Sequence, residues 1–353
     1  MTKNIIISFQ LLRFFAPVLI FISHTNELFG FENGITLKYL GCASVSLFIA
    51  LSAYLTYLTN DNYNQISAAT TLKKRLKQFY LLHLITLIIA IPLSVNSLVS
   101  DHISWIICFV ANLTLLQSYI PIFSVYYSFN GVAWYLSLML YLALLTPITL
   151  RLWKRMSLKT SIIALVVIGV MEYLLTFLFF SSPYVQWVVY VFPVIRYFDF
   201  FCGGAAYKLA KYIRDRKLYT LNKIICCISI VLIICLALIS VFLGNRYFLT
   251  AVWLLPSHML VMSLSNIRIE LNVENIIFKG IMGFADISLE FFMLHQLVIK
   301  YFTLVMENTM IPLVLVLIIS FIISTVGAIL LQQFIRKLKA VQFVKLSNLK
   351  RRN

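Results

Sequence analysis

The sequence predicts an all-α, polytopic integral membrane protein of about ten transmembrane helices with both termini in the cytoplasm. Three observations point there. Of 353 residues, 61% are hydrophobic and only 12% are charged, whereas soluble domains run near a quarter charged. Apolar stretches of about 18 residues or more, long enough to span a bilayer, recur almost end to end. The Lys and Arg behind the net charge of +17 gather between those stretches, in Lys73 to Lys77, Arg151 to Lys159, Lys208 to Lys223 and Arg336 to Arg352.

The first stretch, 5–27, contains Arg13 and lacks a small-residue cleavage site, so it reads as a retained helix rather than a signal peptide. Further candidates follow at 39–58, 79–95, 103–119, 131–150, 160–180, 184–207, 222–243, 247–265, 281–305 and 311–335. Basic residues beside helix ends mark the cytoplasmic side, so an even number of crossings must separate consecutive clusters. The interval from Lys77 to Arg151 breaks that rule with three candidates. The weakest is 103–119, because Asn112, Thr114, Gln117 and Ser118 gather at one end and Pro121 follows. It is expected to be re-entrant or interfacial, a form tolerated only where protein or water covers the polar backbone. Ten crossings remain, giving one transmembrane domain over 1–335 and a basic cytoplasmic tail over 336–353.

The same placement of charge argues against nucleic acid as a partner, because the clusters encode orientation. The cysteines Cys42, Cys108, Cys202, Cys226, Cys227 and Cys235 have no Cys/His metal spacing. They read as packing residues, and no metal is expected.

Ionisable residues inside the membrane cost roughly 3 kcal/mol or more and usually have a partner or a task. Arg13 and His24 are eleven residues apart, close to three full turns, and so share one face of the first helix about 16 Å apart. Glu27, three residues beyond His24, could orient its ring. The alternative is an Arg reaching back to the inner surface and a His at the headgroup boundary. Arg196 and Asp199, three apart, can pair with each other, and Gly203 and Gly204 one turn later permit close helix approach. Asp286 and Glu290 share a face if one helix covers 281–305, while His295 points about 140° away from Glu290. Glu172 has no local partner in the sequence. His83, His102 and His258 read as incidental, the first and last near helix ends.

These residues sit in segments that resemble a known family. "LLRFFAPVLIFISHTNE" (11–27), with Arg13 and His24 eleven apart, is similar to the first-helix signature of the acyltransferase 3 family, integral membrane enzymes that O-acylate carbohydrates. "GCASVSLFIALSAYLTYL" (41–58) resembles its second helix, with Ala53 where glycine is usual and Ser46 where aspartate is common. "LKKRLKQFYLL" (72–82) resembles the basic start of the third, Arg75 matching the first arginine and Gln78 replacing the second. "AWYLSLMLYLALLTP" (133–147), which carries Trp134, "VIRYFDFFCGGAAY" (194–207) and "ISLEFFMLHQLVI" (287–299) follow in the family's order.

The resemblance implies an acyltransferase moving an acyl group, expected to be acetyl, from acyl-CoA to a hydroxyl of a cell-envelope or secreted polysaccharide. It implies residence in a bacterial cytoplasmic membrane. The residues are compatible with that chemistry. An imidazole can take the proton of an attacking hydroxyl, which makes His24 the candidate base, with Glu27 beside it and Arg13 on the thioester or developing oxyanion. Lys73, Lys74, Arg75 and Lys77 are candidates for the coenzyme A phosphates. Trp134, Arg196, Asp199, Glu290 and His295 are candidate substrate or structural residues. The competing class is a transporter or flippase for a polar or glycan-linked substrate, in which the same charges line a path and no bond changes.

Overall fold

The computed structural model describes residues 2–25, 36–60, 66–267, 275–306 and 312–350. Among them every regular element is helical. The long helices are α1 (Thr2–His24), α2 (Lys38–Asn60), α3 (Ala68–Ala90), the short α4 (His102–Leu113), α5 (Trp134–Arg155), α6 (Leu158–Leu178), α7 (Pro193–Asp215), α8 (Tyr219–Leu243), α9 (Ala251–Leu264), α10 (Ile276–Asp286), α11 (Ser288–Met306) and α12 (Leu313–Lys350). Eight stretches are long and apolar enough to cross a membrane, carried by α1, α2, α3, α5, α6, α8, α9 and α12. Helices α7 and α11, of 23 and 19 residues, match them in length but carry charges within the span.

Residue size sorts the helices into layers. The span on α2 is 72% buried inside the protein and that on α5 also 72%, whereas α6 and α8 are buried over only 22% and 17%. Helix α2 is rich in small residues, Gly41, Ala43, Ser44, Ser46, Ala50 and Ala53, which let backbones approach closely without a hydrophobic force between helices. Helix α7 exploits this, since a Cβ on Gly203 would run into Ala53 and one on Gly204 into the Trp153 ring. The peripheral α6 and α8 display Ile, Leu, Val and Phe outward, as for Val166, Phe177, Ile234 and Phe242.

Several helices extend past the apolar segments read from sequence. Ser67 caps α3 by accepting the Thr70 amide, so Lys73 to Lys77 lie on the first turns of a helix rather than in a loop. Arg151 to Arg155 end α5, and Lys208 to Arg214 end α7. These basic ends sit together, with Lys208 Nζ donating to the Trp153 carbonyl at 2.6 Å and Lys339 Nζ to that of Gln78 at 3.5 Å. The expected single helix over 281–305 is two, because α10 ends at Asp286 and α11 begins at Ser288. Asp286 and Glu290 therefore do not share one helical face.

The segment 101–133 runs inward and back. Asp101 caps α4 by accepting the Ser104 amide at 3.0 Å, and the Ser104 hydroxyl and amide hold that carboxyl below its usual range. Twelve residues of α4 reach about 18 Å, short of the roughly 30 Å hydrocarbon thickness. The chain then turns at Leu115, a non-glycine residue at φ 57°, and returns so that Asn112 Nδ2 meets Ser128 Oγ at 2.6 Å and Trp105, Phe109 and Phe129 pack together.

Four of the freed carbonyls find side chains. Tyr80 donates to the Leu113 carbonyl at 2.9 Å, His83 Nε2 meets that of Asn112 at 2.8 Å, and Ser137 donates to that of Leu115 at 2.5 Å. Trp187 Nε1 holds the Ser118 carbonyl at 3.0 Å, and Ser118 Oγ the Trp134 carbonyl at 3.1 Å. His83 is thus neither at a helix end nor incidental. It sits inside α3 and satisfies the end of α4.

A segment that turns back leaves Asp101 and Ser124 on one side of the membrane. Cysteines at 101 and 124 are expected to react with an impermeant thiol reagent from the same side, in the Cys108→Ser background. Labelling from opposite sides would show that the segment crosses.

Candidate active site

Three groups of polar side chains lie inside the bundle, at different depths. The first is at the far end of α1 from the basic helix ends. His24, in the last turn of α1, faces His295 of α11 with ring centroids 5.1 Å apart and planes at 57°. The Gln296 amide nitrogen lies 3.3 Å from His24 Nδ1. His295 is fully buried, stacks on Phe291 at 5.8 Å, and its Nδ1 meets the Phe291 carbonyl one turn back at 3.3 Å. Glu27, expected beside His24, lies outside the described residues.

The second group lines a cavity of about 770 Å³ among α1, α2, α3, α5 and α11, within the usual range for small-molecule sites. Its lining includes Thr56, Thr59, Asn60, Thr70, Lys74 and Arg75 near the basic helix ends. Arg75 is half-buried and held in place, Nη1 donating to Gln78 Oε1 at 3.1 Å and Nη2 to Ser52 Oγ at 3.3 Å. Gln78, which replaces the expected second arginine, therefore orients the first. Lys73 and Lys77 are exposed and are not among the lining residues.

Arg13 reaches the same cavity from α1. Its Nη1 donates to Gln10 Oε1 at 3.3 Å, and the carboxylates of Asp286 and Glu290 act on it. Gln10 in turn reaches Asp286 Oδ1 at 3.5 Å. Glu290 also feels Arg336 and Lys339, so it belongs to the Arg13 end of the site and not to the histidines.

Phe292 stands between the cavity and the histidines. Phe292 and Tyr135 both line the cavity and touch edge-to-face at 5.6 Å. Phe292 lies 6.0 Å from the His295 ring on its other side. Phe292 thus links the cavity that Arg13, Lys74 and Arg75 line to His295, and His295 faces His24. Helical spacing links Arg13 to His24, but the place of Phe292 could be seen only once α5 and α11 were placed against α1.

The third group is the buried pair. Arg196 Nη1 and Asp199 Oδ2 are 2.5 Å apart with side chains 0% and 3% exposed. Arg196 Nη2 donates to Ser46 Oγ at 3.3 Å, and its guanidinium lies 5.8 Å from the Tyr190 ring centre. Ser46, at the position where the resemblance leads one to expect an acid, thus still serves Arg196. Glu172, without a visible partner in sequence, lies with its carboxyl against Asp199. Two carboxylates cannot bond to each other, so that contact becomes a hydrogen bond only when one carries a proton. His258 is buried beside them, its Nδ1 on the Leu254 carbonyl at 2.8 Å. Trp134, 4% exposed, packs on Tyr190 at 4.8 Å. None of these residues is among those lining the cavity.

Breaking a buried ion pair leaves an uncompensated charge and costs about 3–5 kcal/mol, whereas replacing both partners by apolar residues is far better tolerated. Arg196→Met or Asp199→Leu alone should lower the unfolding temperature of the detergent-solubilised protein more than the double replacement does. Equal losses in singles and double would show that the two do not act as a pair.

A family model described as an acyltransferase domain matches residues 6–333. No curated protein and no solved structure matches the chain.

Proposed function

Because the chain belongs to the acyltransferase family whose domain spans residues 6–333, and is a multi-pass membrane enzyme moving groups other than aminoacyl, we propose that it carries an acyl group, acetyl by preference, from acyl-CoA to a hydroxyl of a cell-envelope or secreted polysaccharide. One observation supports this above the rest. The cavity of about 770 Å³ is lined by the cations Arg13, Lys74 and Arg75, and Phe292 of its wall packs against the histidine pair.

In this reading the basic face is cytoplasmic, as the charge bias of the loops favours. Ten helices cross a bacterial cytoplasmic membrane with both termini inside, residues 1–335 form the catalytic domain, and 336–353 form a basic tail. The donor enters from the cytoplasm. Lys74 and Arg75 meet its phosphates, Arg75 pre-set by Gln78 and Ser52 so that less freedom is lost on binding. The exposed Lys73 and Lys77 add to the local positive potential. Arg13, deeper, meets the donor arm. Its fork is already turned by Gln10, and the flanking Asp286 and Glu290 keep the cation from binding the donor phosphates at the wrong depth.

His24 is the base for the acceptor. The hydroxyl proton moves to the imidazole as the oxygen attacks the thioester carbonyl carbon. The C–S bond then breaks, and the CoA thiolate leaves with that proton. Arg13, about 16 Å of helix from His24, holds the donor arm at the cation end rather than the oxygen that becomes negative beside the histidine. Phe292 must move aside for the donor arm to reach His24, so the closed structure keeps water from the cavity away from the histidines.

With labelled acetyl-CoA and membranes holding the protein, His24→Ala is expected to bind donor normally and lose about a hundredfold to ten-thousandfold in transfer. Near-normal acylation of surface glycan by His24→Ala at unchanged protein level would sink the assignment. Arg13→Lys should not restore full activity, because an ammonium lacks the planar fork, and both kcat and KM should suffer. Neutralising Lys74 and Arg75 together should raise the KM for acetyl-CoA with a smaller effect on kcat. An unchanged KM would remove them from the donor site.

A further inference from the structure

We propose that Gln296 is a positioning residue for His24, holding its imidazole by Nδ1 so that Nε2 meets the acceptor hydroxyl; this rests on the reading of His24 as the base. Three separate parts of the chain converge on that amide. From α1 comes the His24 ring, with Nδ1 3.3 Å from the amide nitrogen of Gln296. From α11 come Gln296, 6% exposed, and its neighbour His295, whose ring lies 5.1 Å from that of His24. Consecutive residues on a helix point about 100° apart, so the two take different sides of the same imidazole. From the end of the re-entrant segment comes Gly131. A Cβ there would stand 2.8 Å from Gln296 Oε1 and 3.2 Å from Nε2, so glycine leaves the space that the amide fills. Asn130 fixes that loop to α11, its Nδ2 donating to the Met293 carbonyl at 2.8 Å.

The chemistry asks for such a partner. A base that takes a proton at Nε2 keeps its other proton on Nδ1 throughout, and the tautomer is set by whatever bonds to Nδ1. The protonated ring carries N–H on both nitrogens and accepts nothing. In the structure the N–H end of the Gln296 amide faces Nδ1, which places the neutral ring's proton on Nε2, and a half-turn of the last torsion brings the carbonyl end to that position instead. The carbonyl end suits Nδ1–H in both protonation states of the cycle. His295 is less suited, because its Nδ1 is engaged with the Phe291 carbonyl on its own helix.

The test uses full-length protein in membranes, labelled acetyl-CoA as donor and transfer to endogenous glycan as readout. Gln296→Leu is expected to lower kcat about tenfold to hundredfold, the scale for partners that orient a histidine, with KM for acetyl-CoA unchanged. Gln296→Glu, which retains an acceptor, should recover most of kcat. Gly131→Ala, which pushes the amide from another part of the chain, should lower kcat in the same way. In a His24→Ala background Gln296→Leu should cause no further loss of residual transfer, because a residue acting only through His24 has nothing left to act on. A Gln296→Leu loss that persists at full size without His24, Gln296→Glu failing as badly as Gln296→Leu, or full kcat in Gly131→Ala would each overturn the proposal. If Gln296→Leu does not reach the membrane, Gln296→Glu and Gly131→Ala decide. An active His24→Ala overturns the base reading itself; an inactive His24→Ala with full kcat in Gln296→Leu removes only the positioning role.

Discussion

Everything at the histidine end of this protein depends on one constraint: hydrocarbon offers no hydrogen bonds, so a chain that turns back inside the membrane must bring its own. The turn after α4 does so by spending four side chains from three other parts of the chain. Tyr80 and His83 of α3 take carbonyls at the end of α4, Ser137 of α5 takes the Leu115 carbonyl, and Trp187 takes that of Ser118. With the turn fixed at that depth, the returning chain delivers Asn130 to the Met293 carbonyl and Gly131 to the Gln296 amide. The histidine pair is therefore buttressed by that segment through Met293 and Gln296 of α11.

A second constraint operates around Arg196. Its charge, fully buried, needs an opposite charge at contact distance, and Asp199 supplies it from the same helix. One helix turn alone would leave the remaining guanidinium N–H groups exposed to apolar neighbours. Ser46 of α2 accepts from one of them and the Tyr190 ring lies 5.8 Å from the guanidinium, and Glu172 of α6 closes on Asp199. The group thus ties α2, α6 and α7 in a single register, while Gly203 and Gly204 let α7 approach Ala53 and Trp153. Placed apart from the cavity, it reads as the means by which the central helices fix the walls of the site.

Much of this was legible in the sequence, and the rest was not, for a physical reason. Relations within one helix follow from 3.6 residues per turn, so the shared face of Arg13 and His24 and the Arg196–Asp199 pair could be read directly. A parity of charge and a polar end marked 103–119 as a poor span, and two of those polar residues, Asn112 and Ser118, tie the turning segment together. Relations between helices depend on register, which single-chain periodicity does not contain. That is why Glu172 had no visible partner, why Gln296 drew no attention beside His295, and why Tyr80 and His83 looked ordinary. The break at Ile287 was hidden by continuous hydrophobicity across α10 and α11, and it moves Asp286 off the face of Glu290.

The depths of the two ends of the site bear on how one protein could use substrates from opposite sides of a membrane. Arg13 and His24 are eleven residues apart, about 16 Å of helix, and Phe292, packed on Tyr135, lies between the cavity that Arg13 lines and the His295 ring. An open path of that length would let water and ions through. A path closed by side chains with one rotatable ring torsion can admit an extended thioester arm while remaining sealed around it, because aromatic rings pack against an alkyl chain as well as against each other. The acyl group alone then needs to pass from the cation end to the histidine end, and the large anionic remainder of the donor stays where Lys74 and Arg75 hold it. In this arrangement the separation of the charged clamp from the titratable base is what allows the bilayer to stay sealed during transfer.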